Sequence, residues 1–115
     1  AGQLYPYRVE PAGRVSALEN PARPLGVALP ANFRTVSAPF AVGDLWVFLS
    51  DGVIEGHSAD GAEFGFERLE RVMASAVAGR SAAQLRDEIL KAWREFTGRD
   101  EPEDDLTLLV LRVLE

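Results

Sequence analysis

Two almost unbroken apolar runs constrain the fold of this chain more than any other feature of its sequence. Residues 45–49 read LWVFL and residues 106–113 read LTLLVLRV. Runs of this length suit strands that are covered on both faces. Because helical patterns fill the chain between them, the sequence predicts two sheet strands with helices packed against them.

The first half of the chain has the composition of strands and turns. Six of the seven prolines lie within the first 40 residues, and proline is excluded from helix interiors. Residues 5–9 alternate apolar and polar side chains, and a turn at 11–13 leads to a returning strand over 14–18. Residues 20–32 have the composition of a loop, and residues 33–38 predict a third, shorter strand.

Helical periodicity replaces these patterns in the second half. An amphipathic helix that Gly79 can end is predicted from the apolar residues Phe66, Leu69, Val72, Met73, Ala76 and Val77. Ser81 and Gln84 form a capping box for a second helix, which Gly98 stops. The apolar residues on one face of this second helix are Leu85, Ile89, Trp93 and Phe96. Four strands, two helices and one strand predict an α+β fold in which two helices pack on a mainly antiparallel sheet.

Composition limits the classes of function. The chain has 115 residues, 47% hydrophobic and 26% charged, which predicts one folded unit rather than disorder. It has no cysteine, so thiolate metal sites and cysteine nucleophiles are excluded. The net charge is −6, with the acidic excess in the second half, which argues against a nucleic-acid partner. No apolar run is long enough for a membrane span and no leader is visible, so we expect a cytoplasmic protein without a membrane partner.

Acidic residues lie at the ends of both apolar runs. Asp51 and Gly52 follow the first run, and Asp104 and Asp105 precede the second. If the two strands are antiparallel neighbours, these residues meet at one sheet edge. Clustered carboxylates repel one another unless a cation neutralises them, and oxygen ligands favour Mg²⁺, Mn²⁺ or Ca²⁺. The alternative is that Asp51-Gly52 is a simple turn and residues 100–105 a solvated loop.

Other catalytic arrangements are absent from the sequence. The only histidine, His57, lies in a loop rich in Gly, Ser and Asp, without a serine-nucleophile motif, and is predicted to be exposed. The glycine patterns that bind phosphate groups of nucleotides are missing. Trp46 and Trp93 occupy predicted core positions.

The same residues resemble bacterial metal-dependent protein phosphatases of the SpoIIE type, in the PPM family. Residues 42–55 are similar to the family pattern of Gly-Asp, an apolar strand and Ser/Thr-Asp-Gly, and residues 104–110 resemble its closing Asp-Asp strand. Residues 24–26 and 61–69 resemble two further family elements. Residues 1–3 resemble the end of a fifth, with Gln3 where histidine is usual. The five elements follow the family order along almost the whole chain.

The resemblance implies a fold and a reaction. The family fold is an αββα sandwich of two antiparallel sheets flanked by helices, and residues 1–115 correspond to the C-terminal portion of one such domain. The implied reaction is hydrolysis of a phosphoserine or phosphothreonine on a protein. Two Mn²⁺ or Mg²⁺ ions in the complete domain would activate a water molecule and neutralise phosphoryl charge.

The resemblance also implies roles for individual residues. Asp51 and Asp104 would be metal ligands, and Gly52 would let the backbone pass close to the site. Asp105 would orient Asp104 or a water molecule, and Glu55 would either brace the loop or face solvent. No catalytic residue beyond the metal ligands is implied.

The implied substrate is a phosphorylated anti-sigma-factor antagonist, in sigma-factor partner switching. The alternative is a non-catalytic interaction module, a pseudophosphatase or inactive half-domain, because an early Asp-Gly pair of the family's metal site is missing. A simple divalent-ion-binding domain is a third possibility. Because two helices can cover only one sheet face, we also expect self-association through Val47, Leu49, Leu109 or Leu111, or through whichever alternate set is left open.

Overall fold

One antiparallel sheet with helices on one side organises the chain. The computed structural model describes residues 4–22, 24–26, 33–75 and 79–115. In chain order, the elements are β1 (Tyr7–Val9), β2 (Val15–Ala17), β3 (Leu45–Leu49), α1 (Asp51–Ile54), α2 (Gly65–Ala74), α3 (Ala82–Thr97) and β4 (Leu108–Arg112). The four strands pair antiparallel in the order β2-β1-β3-β4. This confirms the predicted α+β class and adds one short helix, α1.

The predicted hairpin at the start of the chain is confirmed. Tyr7 pairs with Ala17 and Val9 with Val15. The turn between them depends on Gly13, whose φ of 90° lies in the left-handed region and whose N–H donates to the carbonyl of Glu10. The first strand begins at Tyr7 rather than at residue 5.

The predicted strand over residues 33–38 is wrong. These residues form no strand, and Phe33 and Val36 are exposed. Both edges of β1 and of β3 are already paired, so the centre of the sheet offers no free edge to a further strand. Just after this segment, Phe40 packs edge-on against Trp46 with ring centroids 5.0 Å apart.

The covered face of the sheet holds the core. Side chains of β1 and β3 pack there against the helices, and the buried cluster comprises Tyr7, Val9, Leu45, Val47, Leu49, Val53, Ile54, Phe64, Leu69, Met73, Leu85, Ile89 and Trp93. The Tyr7 hydroxyl also donates to Glu70 on α2 over 3.0 Å. No helix within the described residues is long and apolar enough to cross a membrane.

The helix predictions are partly confirmed. The capping box of Ser81 and Gln84 is formed, and Gly98 ends α3 with a φ of 69°. The earlier helix, α2, ends at Ala74, whereas Ala76 and Val77 lie outside the described residues. Phe66 is wrongly placed on the apolar stripe: it is 45% exposed, and the buried Phe64 before the helix contacts the core instead.

The second face of the sheet, which we call the outer face, carries Arg8, Trp46, Phe48, Leu109 and Leu111. Trp46 is opposite Leu111 and Phe48 opposite Leu109, so these side chains point to the same side. Trp46 is buried, but Leu109 and Leu111 are 51% and 44% exposed. The second apolar run is therefore covered on one face only, as expected if two helices cover a single face of the sheet.

A buried ion pair lies at the start of β3. Asp44 is 1% exposed, and its Oδ2 accepts hydrogen bonds from Arg8 Nε at 2.8 Å and from the Ala41 N–H at 3.1 Å. The Asp44 backbone is also tied to β4, since the Val113 N–H donates to its carbonyl. Asp44 therefore joins three segments of the chain at this end of the sheet.

We expect Asp44→Asn to destabilise the chain by about 2 kcal/mol, because Arg8 loses a buried charged hydrogen-bond partner. Urea denaturation measures the change. Glu10→Gln is the matched control, since Glu10 contacts the same Arg8 at 3.9 Å in a more exposed position. This control should change stability by less than about 0.5 kcal/mol. Equal effects of the two substitutions would contradict the role assigned to Asp44.

Candidate metal-binding edge

Pairing of β3 with β4 brings the two acidic segments to one edge of the sheet. Leu49 is opposite Leu108, and the pairing continues beyond the strands. The Ser50 N–H donates to the Thr107 carbonyl at 3.0 Å, and the Thr107 N–H donates to Ser50 Oγ at 2.8 Å. The antiparallel arrangement predicted for these strands is confirmed. The separation of the Asp51 and Asp104 carboxylates, which we expect to be within about 8 Å, stays a prediction.

Asp51 begins a short helix instead of a simple turn. The helix α1 starts at Asp51, and the Asp51 carbonyl accepts the N–H of Glu55 at 2.9 Å. Val53 and Ile54 are buried in the core, whereas Asp51 and Glu55 are exposed. The apolar side of this one turn therefore anchors it, and the two carboxylates remain accessible to an ion or a ligand.

Gly52 packs against the backbone of the second acidic segment. A Cβ atom at this position would overlap the carbonyl oxygen of Asp105 and lie 3.3 Å from the Leu106 Cα. Only glycine lets these backbones pass at this distance without a shift. The role that the sequence resemblance implies for Gly52, an approach of the backbone to a metal site, stays a prediction.

Gly52→Ala should displace the loop that carries Asp104 and weaken Mn²⁺ binding by roughly tenfold, as loss of a supporting contact commonly does. Mn²⁺ titration followed by electron paramagnetic resonance measures the affinity. Gly61→Ala is the control: its φ of 88° makes the substitution strained, but a Cβ there meets no atom within 4 Å. Unchanged Mn²⁺ affinity in Gly52→Ala would contradict a shared ion site at this edge.

The Asp104 carboxylate is oriented by the backbone of its neighbour. Asp104 Oδ1 accepts the N–H of Asp105 at 2.7 Å, and both side chains are exposed. Within the same loop, Arg99 forms an ion pair with Glu103 at 2.6 Å. The contact that orients Asp104 thus comes from the amide of Asp105, and the ligand roles themselves stay predictions.

The donor set at this edge suits a hard cation. Asp51 and Asp104 supply carboxylate oxygens, and Mg²⁺ or Mn²⁺ is commonly held by one or two carboxylates with water completing the shell. Among the residues described, no group of three or more His, Cys, Asp or Glu side chains is arranged to hold a metal. Binding of a metal ion by Asp51 and Asp104 at this edge stays a prediction.

One buried charged residue, Asp44, was not predicted from the sequence. The burial of Asp44 was not predicted, although Gly43-Asp44 directly precedes an apolar strand. Asp44 lies at the opposite end of β3 from Asp51, roughly 20 Å away along an extended strand.

His57 is exposed as predicted, and it pairs with Glu63 in an isolated bridge beyond α1. Both tryptophans are buried, as predicted.

Comparison with solved structures identifies the fold. The PP2C phosphatase domain of SpoIIE from Bacillus subtilis, solved with a fragment of its regulatory domain, superimposes with a TM-score of 0.79 at 21% identity. That match covers 99% of this chain and 33% of the SpoIIE chain. The SiaA-PP2C domain of Pseudomonas aeruginosa matches with a TM-score of 0.72 at 20% identity, over 96% of this chain and 44% of its own.

A third structure, the phosphatase domain of Bacillus subtilis SpoIIE presoaked with Mn, has a TM-score of 0.69 at 20% identity. It is matched over 98% of this chain and 48% of its own length. The chain therefore spans about a third to a half of the structures that it matches. No curated protein matches it. The sequence profile described as stage II sporulation protein E (SpoIIE) matches residues 1–114, and the chain therefore belongs to the SpoIIE family.

Proposed function

We propose that this chain forms part of a metal-dependent protein phosphatase that hydrolyses phosphoserine or phosphothreonine on a regulatory protein. One observation carries the proposal: β3–β4 pairing places Asp51-Gly52 and Asp104-Asp105 at the same sheet edge. The solved structures with this fold are phosphatase domains, which supports the reaction class.

Asp51 and Asp104 are the proposed ligands of Mn²⁺ or Mg²⁺. When bound, such ions activate water for attack on phosphorus and neutralise phosphoryl charge. This chain contributes the two carboxylates, the close approach at Gly52 and the Asp105 N–H that orients Asp104. Glu55 lies exposed at the end of α1, where it can face a substrate or solvent. Further ligands of a two-ion site are proposed to come from the part of the domain that the matched structures have in addition.

The proposed substrate is a phosphorylated anti-sigma-factor antagonist or a similar small phosphoprotein, and the proposed role is sigma-factor partner switching in the cytoplasm. Membership in the SpoIIE family supports this role. The acidic balance of the chain, with a net charge of −6, supports a protein partner over a nucleic acid.

A non-catalytic interaction module is the second candidate. It is favoured by the absence, within the described residues, of a group of three metal-binding side chains. A module of this kind would bind a phosphoprotein without turnover. The two candidates are distinguished by phosphate release from a phosphoserine peptide with Mn²⁺, measured on the longest natural protein that contains this chain. Release that Asp51→Asn abolishes supports the enzyme, and binding without release supports the module.

The isolated 115-residue chain should be a poor phosphatase. With two proposed ligands present, we expect a single, weakly bound and largely hydrated ion. Hydrolysis of p-nitrophenyl phosphate in Mn²⁺ measures turnover, and calorimetry with Mn²⁺ measures the number of ions bound. Substantial turnover by the isolated chain, lost in Asp51→Asn, would show that its own residues complete the site.

A further inference from the structure

A cleft of about 220 Å³ opens beside the metal-binding edge. It shares Gly52 and Asp104 with that edge and reaches the C-terminal end of α3. A phosphoryl group held by an ion at Asp104 would therefore lie at or beside this cleft. The charges that surround the cleft then decide how well the phosphoryl group is held.

The side chains around the cleft carry more negative than positive charge. Glu55, Glu103 and Asp104 line it with carboxylates. The C-terminal end of α3 adds the partial negative charge of a helix terminus. A phosphoryl group carries about two negative charges near neutral pH, so these groups repel it. A positive side chain in the cleft would offset part of this repulsion.

Arg99 is the one permanently charged cation among the described residues that line the cleft. His57 lines it as well, but its Nε2 lies 4.0 Å from Glu63 Oε1 and is charged only when the ring is protonated. A guanidinium presents parallel N–H donors that match two oxygens of a phosphoryl group. Arg99 therefore has both the charge and the geometry that this ligand needs.

The backbone of Arg99 is fixed at the end of α3. Gly98 ends the helix, and its N–H donates to the carbonyl of Arg94 at 2.8 Å. The Arg99 N–H donates to Oγ1 of Thr97 at 3.3 Å, and Thr97 is itself buried. The base of the arginine side chain is therefore held by a helix that belongs to the core.

The guanidinium is held close to the proposed metal ligand by an ion pair that exchanges easily. Arg99 Nη1 lies 2.6 Å from Glu103 Oε1, and Glu103 immediately precedes Asp104. The two side chains of the pair are 42% and 76% exposed. Because ion pairs this open to water contribute little to stability, an incoming anion can replace Glu103 as the partner of Arg99.

We propose that Arg99 binds the phosphoryl group of the substrate, and that Glu103 holds the guanidinium beside Asp104 until the phosphoryl group displaces it. The inference rests on the proposed function and adds a substrate-binding residue to the metal ligands. Glu103 and the phosphoryl group compete for one guanidinium, so substitutions of Arg99 and of Glu103 should change phosphate binding in opposite directions.

The test measures binding by calorimetry, with Mg²⁺ present, in the longest natural protein that contains this chain. The first probe is inorganic phosphate. The second is an alanine-flanked heptapeptide with phosphonomethylalanine in place of phosphoserine, because its P–C bond is not hydrolysed. The third is an unphosphorylated serine heptapeptide, prepared with alanine or with aspartate flanks, which shows whether a carboxylate binds instead. Electron paramagnetic resonance measures Mn²⁺ affinity without phosphate.

We expect Arg99→Gln to weaken binding of inorganic phosphate and of the phosphonate peptide by roughly 10-fold, the effect of one charge-assisted hydrogen bond. Glu103→Gln should strengthen binding of both by roughly 3-fold, because it frees Arg99. In an Arg99→Gln background, Glu103→Gln should lose most of this gain, which a double-mutant cycle measures. Mn²⁺ affinity should not fall in Arg99→Gln.

Lys91→Gln is the matched control. Lys91 forms an exposed ion pair with Glu95, four residues along the same helix, at 3.9 Å, and it does not line the cleft. This substitution removes one positive charge from α3 and should leave phosphate binding unchanged. Equal losses in Lys91→Gln and Arg99→Gln would show an effect of net charge alone and would overturn the inference.

The remaining outcomes separate this inference from the proposed function. Unchanged phosphate binding in Arg99→Gln overturns the role of Arg99 and leaves the phosphatase proposal standing. Parallel losses of Mn²⁺ and phosphate binding, or a loss confined to the aspartate-flanked peptide, also overturn it. An unsubstituted protein that prefers neither inorganic phosphate nor the phosphonate peptide over the alanine-flanked serine peptide overturns both proposals.

Discussion

Replacing Asp51 or Asp104 by alanine should lower phosphatase activity by orders of magnitude while leaving the fold intact. Both side chains are exposed, and neither belongs to the buried core. Carboxylates that are gathered for a cation repel one another without it, so deleting one should be neutral or mildly stabilising in metal-free protein. Phosphate release with Mn²⁺ measures the activity of the longest natural protein that contains the chain. Thermal denaturation with and without Mn²⁺ measures the stability of the fold in the metal-bound and the metal-free protein.

Asp105→Ala is the matched control for these substitutions. The Asp105 contact that orients Asp104 comes from a backbone N–H, and alanine retains it. We therefore expect a loss of roughly 10-fold, at the lower end of the range for residues that support a metal ligand. If Asp105→Ala abolished Mn²⁺ binding and Asp104→Ala did not, the ligand in this loop would be Asp105.

The isolated chain should self-associate through the outer face of its sheet. Phe48, Leu109 and Leu111 form an apolar patch there, with exposures of 37%, 51% and 44%. Burying the exposed parts of these side chains against a second copy is worth about 1 kcal/mol for each. Val47 and Leu49, also considered as contact residues from the sequence, are buried beneath the helices and belong to the other face.

Sedimentation equilibrium measures this association across a range of protein concentrations. Leu109→Lys should shift the chain towards monomer, because association would bury an unpaired charge. Leu25→Lys is the control, since Leu25 is 78% exposed and lies outside the sheet strands. An unsubstituted chain that stays monomeric at high concentration would contradict the prediction.

Local patterns account for the elements that could be predicted. The capping box of Ser81 and Gln84 and the stop at Gly98 depend on neighbouring residues, and both are confirmed. The helix α1 escaped prediction because four residues show no helical period, and its position depends on burial of Val53 and Ile54 in the core. The prediction of a strand at 33–38 was wrong: these residues form no strand, and Phe33 and Val36 are exposed, because a short local pattern does not determine whether a segment joins the sheet.

The candidate site likewise depends in part on local sequence and in part on the tertiary structure. The sequence by itself determined which residues are available: Asp51-Gly52 after one apolar run and Asp104-Asp105 before another. Only the tertiary structure decided that a Cβ on Gly52 would meet the Asp105 carbonyl, and that Trp93 Nε1 lies unpaired beside Gly56. It also decided that Leu109 and Leu111 face outward although their strand is almost entirely apolar. Spacing along a chain records local periodicity, whereas contacts between distant residues depend on how the sheet pairs and which face the helices cover.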